Sequence, residues 1–316
     1  MKISFVIPCY RSEKTLAKVV TEVQDTMKGM ADKYEYEIIL VNDDSPDDTY
    51  GVIEALAANA DNITGVSLAR NFGQHAALMA GFHYVSGDIV VCLDDDGQTP
   101  ASEADRLIDA VVNGGADVAY ARYAHKKHSF FRNFGSFVNE KMLQVMLGKP
   151  KELIVSSYFA ARRFIIDEVI KYDKSYPYMM GLVLRTTKRI VNVEIDHRER
   201  EVGQSGYTLG KLFTLWMNGF TAFSVTPLRI STWTGCIFSI IGFLYGIYTV
   251  IKHFVLGIAP WGYDSLMSAV SFIGGMILMM LGLTGEYIGR MYMGMNNAPQ
   301  YIIRETTQDK NADNRD

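Results

Sequence analysis

Cysteine is scarce in this chain, with three among 316 residues. Cys9, Cys92 and Cys236 have neither metal-ligand spacing nor the density of a disulfide scaffold, which fits a reducing compartment. An excess of one charge is missing too. With 31 basic and 35 acidic side chains the net charge is −4, and no basic stripe interleaved with aromatics occurs, which argues against nucleic acid as a partner. Neither a GxxxxGK[ST] loop nor a GxGxxG turn is present, so P-loop and dinucleotide chemistry have no support. The start of the chain does not read as a targeting signal: the apolar run 3–7 is short, is broken by Pro8 and is followed by Arg11, Glu13 and Lys14. The most telling absence is that of any charge over residues 230–251 and 265–285. Each run is close to the roughly 20 residues that cross a bilayer. Gly257, Pro260 and Gly262 lie between them, so the sequence predicts a transmembrane hairpin with both flanks on one side. Arg229, Arg290 and Arg304 in the flanks against Lys252 in the turn put that side in the cytoplasm by the positive-inside rule.

What remains is an alternation of short apolar runs and amphipathic segments. Runs at 3–7, 38–41, 66–68, 89–93 and 118–121 read as buried strands, and 12–27, 49–58, 74–84 and 100–112 as helices. The pattern predicts a doubly wound α/β domain with a mostly parallel sheet. Beyond Arg122 the alternation weakens, with a helix expected near 137–147, a strand near 154–160, a helix near 165–172 and a strand near 190–195. Residues 208–223 carry Leu209, Leu212, Phe213, Leu215, Trp216, Phe220 and Phe223 with Lys211 as the one charge, the composition of a helix lying in a membrane interface. The expected organisation is a soluble domain over 1–207, an interfacial helix over 208–228, two membrane helices over 229–290 and a tail over 291–316, disordered from Glu305 onward.

Polar groups gather at the strand ends. Asp94, Asp95 and Asp96, with Gln98, follow the run 89–93 directly, and a strand that ends this way points its carboxylates into the crevice where open α/β sheets bind ligands. Packed carboxylates repel one another and call for a cation. A divalent ion bridging to phosphate oxygens is the usual partner of such hard donors. The run 38–41 leads into Asp43, the first strand ends in Pro8, Cys9 and Tyr10, and the third leads to Arg70 and Gly73. Together they suggest a metal-nucleotide site on one edge.

The segments Pro8-Cys9-Tyr10-Arg11-Ser12-Glu13, Asn42-Asp43-Asp44-Ser45, Arg70-Asn71-Phe72-Gly73-Gln74 and Asp94-Asp95-Asp96-Gly97-Gln98 resemble the pattern of glycosyltransferase family 2, in the branch of membrane-bound polyprenyl-phosphate sugar transferases. The resemblance implies a GT-A fold and an inverting transfer from a nucleotide sugar, expected to be a UDP-sugar, to a polyprenyl phosphate. It implies Mg²⁺ or Mn²⁺ held by Asp94, Asp96 and Gln98, with Pro8, Tyr10, Asp43, Arg70, Asp94 and Asp95 around the nucleotide sugar. Arg122, Arg132, Ser136, Arg198 and Arg200 match the groups that take the acceptor phosphate, and Asp96, Arg122 and Arg132 are the expected catalytic residues. Two departures stand out. Asp44 occupies a place where the family usually has glycine, and residues 153–158 lack the acid that many relatives carry there, leaving Glu152 as the nearest one. A phosphate acceptor is already an anion and needs positioning more than a base, so the second departure favours a lipid phosphate. A transferase onto a lipid or polysaccharide hydroxyl, or a non-catalytic scaffold binding nucleotide sugar, are the alternatives, and the sequence allows a homo-oligomer.

Overall fold

A computed structural model describes residues 1–123, 144, 149–175, 177–196, 226–256, 262–295 and 299–309. The chain divides into two compact units, one formed by Met1–Leu212 together with Asn297–Asp316 and the other by Phe213–Asn296.

In the first unit, β1 (Lys2–Cys9), β2 (Glu35–Asn42), β3 (Ile63–Leu68) and β4 (Ile89–Cys92) alternate with α1 (Leu16–Lys28), α2 (Thr49–Ala58) and α3 (Gln74–Phe82). A short 3₁₀ turn at Ala101–Glu103 then leads to α4 (Ala104–Val112), β5 (Val118–Tyr123), β6 (Phe159–Arg162), α5 (Arg163–Val169), α6 (Met179–Thr186) and β7 (Ile190–Ile195), and β8 (Ile303–Thr306) closes the sheet. The order is β7-β5-β6-β4-β1-β2-β3-β8. The pairs β1–β2, β1–β4, β2–β3 and β5–β7 are parallel, while β6 and β8 run against their neighbours. Seven of the eight residues of β1 are buried, as expected of a strand covered on both faces. Helix α1 meets it with Leu16, Val19, Val20, Val23 and Met27, the three-to-four spacing that puts apolar side chains on one stripe. On the other face α3 lies so close that a Cβ on Gly81 would stand 2.7 Å from Val6 Cγ1 and 2.9 Å from Val41 Cγ2.

The second unit holds two long helices, α7 (Thr226–Leu256) and α8 (Tyr263–Met295). At 1.5 Å per residue their 31 and 33 residues extend roughly 46 and 50 Å. Phe238 and Phe272 meet with ring centroids 5.7 Å apart, and a Cβ on Gly235 would lie 3.7 Å from Met280 Cε. Large apolar side chains face outward on both: Trp233, Phe243 and Leu278 are each 70% exposed. The stretch Phe272–Gly289 of α8, with mean hydropathy 1.4, is long and apolar enough to cross a membrane, while the apolar stretch of α7, Ser231–Tyr245, is shorter.

One expectation is corrected, and one element was not expected. The tail does not become irregular at Glu305: Ile303–Thr306 pairs with β3, and Thr306 and Thr307 are buried, with the Gly65 amide donating to Thr307 Oγ1 over 2.9 Å. Helix α6 was also unforeseen, because its run of Met, Leu and Val is short and lacks a capping residue. The helix expected near 137–147 lies outside the described residues except for Gln144, as does the interfacial helix of 208–228 except for its last three positions, which begin α7.

Candidate active site at the strand ends

Strands β1 to β4 run parallel, so the turns that follow them share one edge, and β5 reaches the same edge because it opposes β6, which opposes β4. Each of the first four turns contains a residue in the left-handed region: Arg11 (φ 59°), Asp44 (φ 49°), Gly73 (φ 91°) and Gly97 (φ 74°). Glycine adopts this conformation without cost, and aspartate is among the few side chains that tolerate it. Asp44 therefore keeps the turn that a glycine would make, and adds a charge.

Asp43 joins two of these turns. Its Oδ1 accepts the amide of Phe72 at 2.7 Å and its Oδ2 that of Gly73 at 2.8 Å, while Asn71 Nδ2 donates to its carbonyl at 3.0 Å. The side chain is buried, and burial raises its pKa, with the two amides opposing the shift and the Asp44 charge adding to it. Both oxygens retain a lone pair for a ligand, but their first role here is to shape the turn after β3. On that turn Arg70 is exposed with its guanidinium 4.6 Å from the Phe72 ring centre. Tyr10 is also exposed, and the Arg11 guanidinium lies 5.5 Å from its ring centre, whereas Pro8 is buried in β1 opposite Val41.

The acidic triplet does not act as one cluster. Asp94 is gripped from two sides, its Oδ1 accepting Gln74 Nε2 at 2.8 Å and its Oδ2 accepting the Ser157 hydroxyl. Asp95 turns inward and accepts the Tyr10 amide at 2.9 Å. Burial pushes its pKa up to about 6, helped by the charges of Asp94 and Asp96 and opposed by the bonds from Ser12 and Tyr10. Asp96 Oδ1 accepts the Gln98 amide at 3.0 Å across the Gly97 turn. Among the described residues no three His, Cys, Asp or Glu side chains form a metal cage. Asp94 and Asp96 nonetheless supply the hard oxygen donors that suit a divalent ion such as Mg²⁺, which is commonly held by one or two carboxylates and completed by substrate phosphates.

The other half of the sheet approaches the same turn. Tyr123, at the end of β5, has its pKa pushed up to about 12 by burial, with Ser156 hydrogen bonding opposing and the charges of Asp94, Asp96 and Glu103 reinforcing. Arg122 beside it is exposed and pairs in register with Glu194 of β7. The segment before β6 is pinned: Ile154 donates to Asn192 Oδ1 at 2.8 Å, Asn192 Nδ2 returns a bond to the Ile154 carbonyl at 2.6 Å, and the buried Lys149 ammonium donates to the carbonyls of Pro150 and Leu153. Glu152 is exposed. Arg132, Ser136, Arg198 and Arg200 lie outside the described residues. Nothing in the sequence signals that Ser157 reaches Asp94 or that Arg304 comes within 3.6 Å of Asp44; Gln74 stood within a recognised segment, but nothing local disclosed that its amide reaches Asp94.

The model of the family described as glycosyl transferase family 2 matches residues 4–170, and that described as the GtrB C-terminal hairpin matches residues 226–291. The chain is 34% identical over 313 residues to an undecaprenyl-phosphate 4-deoxy-4-formamido-L-arabinose transferase of Proteus mirabilis, covering 96% of this chain and 93% of that protein. It is 33% identical to the Aeromonas hydrophila transferase of the same description, again covering 96% and 93%. Among solved structures it is similar to glucosyl-3-phosphoglycerate synthase from Mycobacterium tuberculosis in complex with Mn²⁺ and UDP-glucose, with a TM-score of 0.54 at 20% identity over 70% of this chain and 77% of that one.

Proposed function

The chain belongs to glycosyl transferase family 2, and from that membership we propose that it moves a sugar, with inversion, from a nucleotide sugar to a membrane polyprenyl phosphate. The P. mirabilis and A. hydrophila relatives are named undecaprenyl-phosphate 4-deoxy-4-formamido-L-arabinose transferases, which supports a polyprenyl-phosphate acceptor, and the likeness runs through nearly the whole chain. The nucleoside of the donor, expected to be uridine, lies over the turns after β1, β2 and β3, near Pro8, Tyr10, Asp43 and Arg70. Its diphosphate faces the turn after β4. Asp94, Asp96 and Gln98 are the residues that would hold Mg²⁺ or Mn²⁺, and the ion would neutralise charge on the diphosphate. Asp95, turned toward the Tyr10 amide, fixes the β1 and β4 turns to each other.

The observation that carries the choice of acceptor is the chemistry of the segment before β6. It presents Ser157 to Asp94 and Ser156 to Tyr123, with no carboxylate from 153 to 158. A hydroxyl acceptor would have to lose a proton to a base there. A lipid phosphate attacks the anomeric carbon with an oxygen that is already anionic; the bond from that carbon to the nucleoside diphosphate breaks, and its electron pair leaves with the diphosphate. Arg122, and with it Arg132, Ser136, Arg198 and Arg200, would grip the acceptor phosphate, for which the guanidinium fork is well suited. The match to the hairpin family and the apolar stretch Phe272–Gly289 support the reading of a membrane protein. We place its catalytic unit in the cytoplasm because the flanks of the hairpin carry Arg229, Arg290 and Arg304.

The test offers purified protein, Mg²⁺ and a panel of nucleotide sugars undecaprenyl phosphate, neutral undecaprenol or diacylglycerol. Product is expected with the phosphate alone, undiminished by Glu152→Gln. Transfer to a neutral lipid but not to the phosphate would overturn the reading.

A further inference from the structure

Strand β8 follows the helical hairpin in the chain and returns to the sheet beside β3. Its register is irregular: Ser67 faces Glu305 but Leu68 faces Ile303, so Arg304 is the extra residue of the ladder. A bulge of this kind bends an edge strand and re-aims the side chain it carries. Here that side chain is directed to the nucleotide edge, where Arg304 Nη2 donates to the carbonyl of Ala69 at 2.9 Å and stands 3.6 Å from Asp44 Oδ1. The strand is firmly seated, since the Ala69 amide donates to the Ile302 carbonyl at 2.8 Å and buried Thr307 accepts from Gly65.

Asp44 is the residue that stands where the family pattern has glycine, and it lies next to Asp43, whose ionisation it already opposes. Asp47 and Asp48 follow in the same turn. An anionic nucleoside diphosphate must approach this edge, and a further carboxylate repels it. Resting on the reading of this edge as the donor site, we propose that Arg304 is a positioning residue for nucleoside diphosphate binding: it neutralises Asp44, ties the turn after β2 to the end of β3, and makes the strand beyond the hairpin part of the donor site. The guanidinium keeps donors for a ligand, because its side chain remains 54% exposed.

The experiment measures UDP affinity by calorimetry in the presence of Mn²⁺, on the full-length protein in detergent, alongside donor KM and kcat. Arg304→Ala is expected to weaken UDP and raise the donor KM by about two- to fivefold, the range for a solvent-exposed ion pair, with kcat at saturating donor changed less than twofold. Arg304→Lys should recover part of the loss. The discriminating variant is the double change Asp44→Gly with Arg304→Ala, which removes the charge that needs neutralising and leaves a residue at ease at positive φ; its UDP affinity should return to that of the unaltered protein. Unchanged affinity in Arg304→Ala overturns the inference, as does failure of Asp44→Gly to restore it, which would leave Arg304 a merely structural link. An unaltered protein that binds neither UDP nor GDP would instead overturn the donor-site reading itself.

Discussion

At the scale of single residues, the site is organised by what each carboxylate is bonded to rather than by how many there are. Asp94 receives Gln74 from the start of α3 and Ser157 from the segment before β6, so its orientation is fixed by two parts of the chain that are distant in sequence. If Asp94 holds the metal ion as proposed, these partners touch a ligand and not the metal, and partners of that kind typically change affinity 10- to 100-fold when removed. Gln74→Ala is therefore expected to weaken Mn²⁺ binding by about tenfold or more in an electron-spin-resonance titration with UDP present, and Asp96→Asn to abolish transfer without lowering the melting temperature. Mn²⁺ affinity unaffected by Gln74→Ala would remove Asp94 from the metal site, and full activity in Asp96→Asn would remove Asp96. The residue types at these turns were legible in the sequence, because a lone aspartate after a strand is ordinary turn or cap chemistry but carboxylates after several strands that share one edge are not. Their directions were not. Asp95 turns inward to meet an amide 85 positions away, and Asp43 spends its oxygens on the amides of Phe72 and Gly73.

The elements were easier to read where a helix buries a stripe or a strand is covered on both faces. The expected strand at 38–41 lies within Glu35–Asn42, and the expected helix at 49–58 coincides with α2. Direction was not readable: the apolar run of β6 has the same composition whether it lies with β4 or against it, and only the pairing partners decide. Nor was β8 legible, since Ile303, Arg304, Glu305 and Thr306 alternate too briefly and are too polar to announce an edge strand. Helices α3 and α6 supply a pH dependence that follows from packing. His75 at the start of α3 meets Tyr178, just before α6, with ring centroids 5.8 Å apart, and its buried Nδ1 has no hydrogen-bond partner among the described residues. Burial lowers its pKa to about 4 from the usual 6.5. The unfolded chain then binds more protons between those values, so stability is full above pH 6.5 and falls as the pH drops toward 4, by up to about 3 kcal/mol. Melting curves of the solubilised protein should show His75→Phe to be less acid-sensitive across that window; an unchanged slope would place the sensitivity elsewhere.

For the whole molecule, the connectivity of the sheet limits how the chain crosses a membrane. Residues 1–212 and 297–316 form one folded unit, while α7 and α8 lie between them in sequence. A strand cannot pair with β3 from the opposite side of a bilayer, so the intervening segment must cross an even number of times. A hairpin in which α7 and α8 each cross once, the topology we propose, meets this condition, and Phe272–Gly289 of α8 is long and apolar enough to span. In a Cys236→Ser background, where Cys9 and Cys92 are buried, a cysteine introduced at Gly262 should react with an impermeant reagent only from outside the cell and one at Asp309 only after the membrane is opened. The reverse pattern at either position would exclude this topology.

That same connectivity fixes an order of events during synthesis. Strand β8 follows both long helices in the chain, and until it pairs β3 presents an uncovered sheet edge, the kind of surface that invites aggregation. A chain that inserted one helix and left the other behind would deliver Ile303–Thr306 to the wrong compartment, with the edge uncovered and no arginine beside Asp44. On the proposed reading of this edge, completion of the donor site depends on the insertion of both helices, because the strand that carries Arg304 lies beyond them in the chain.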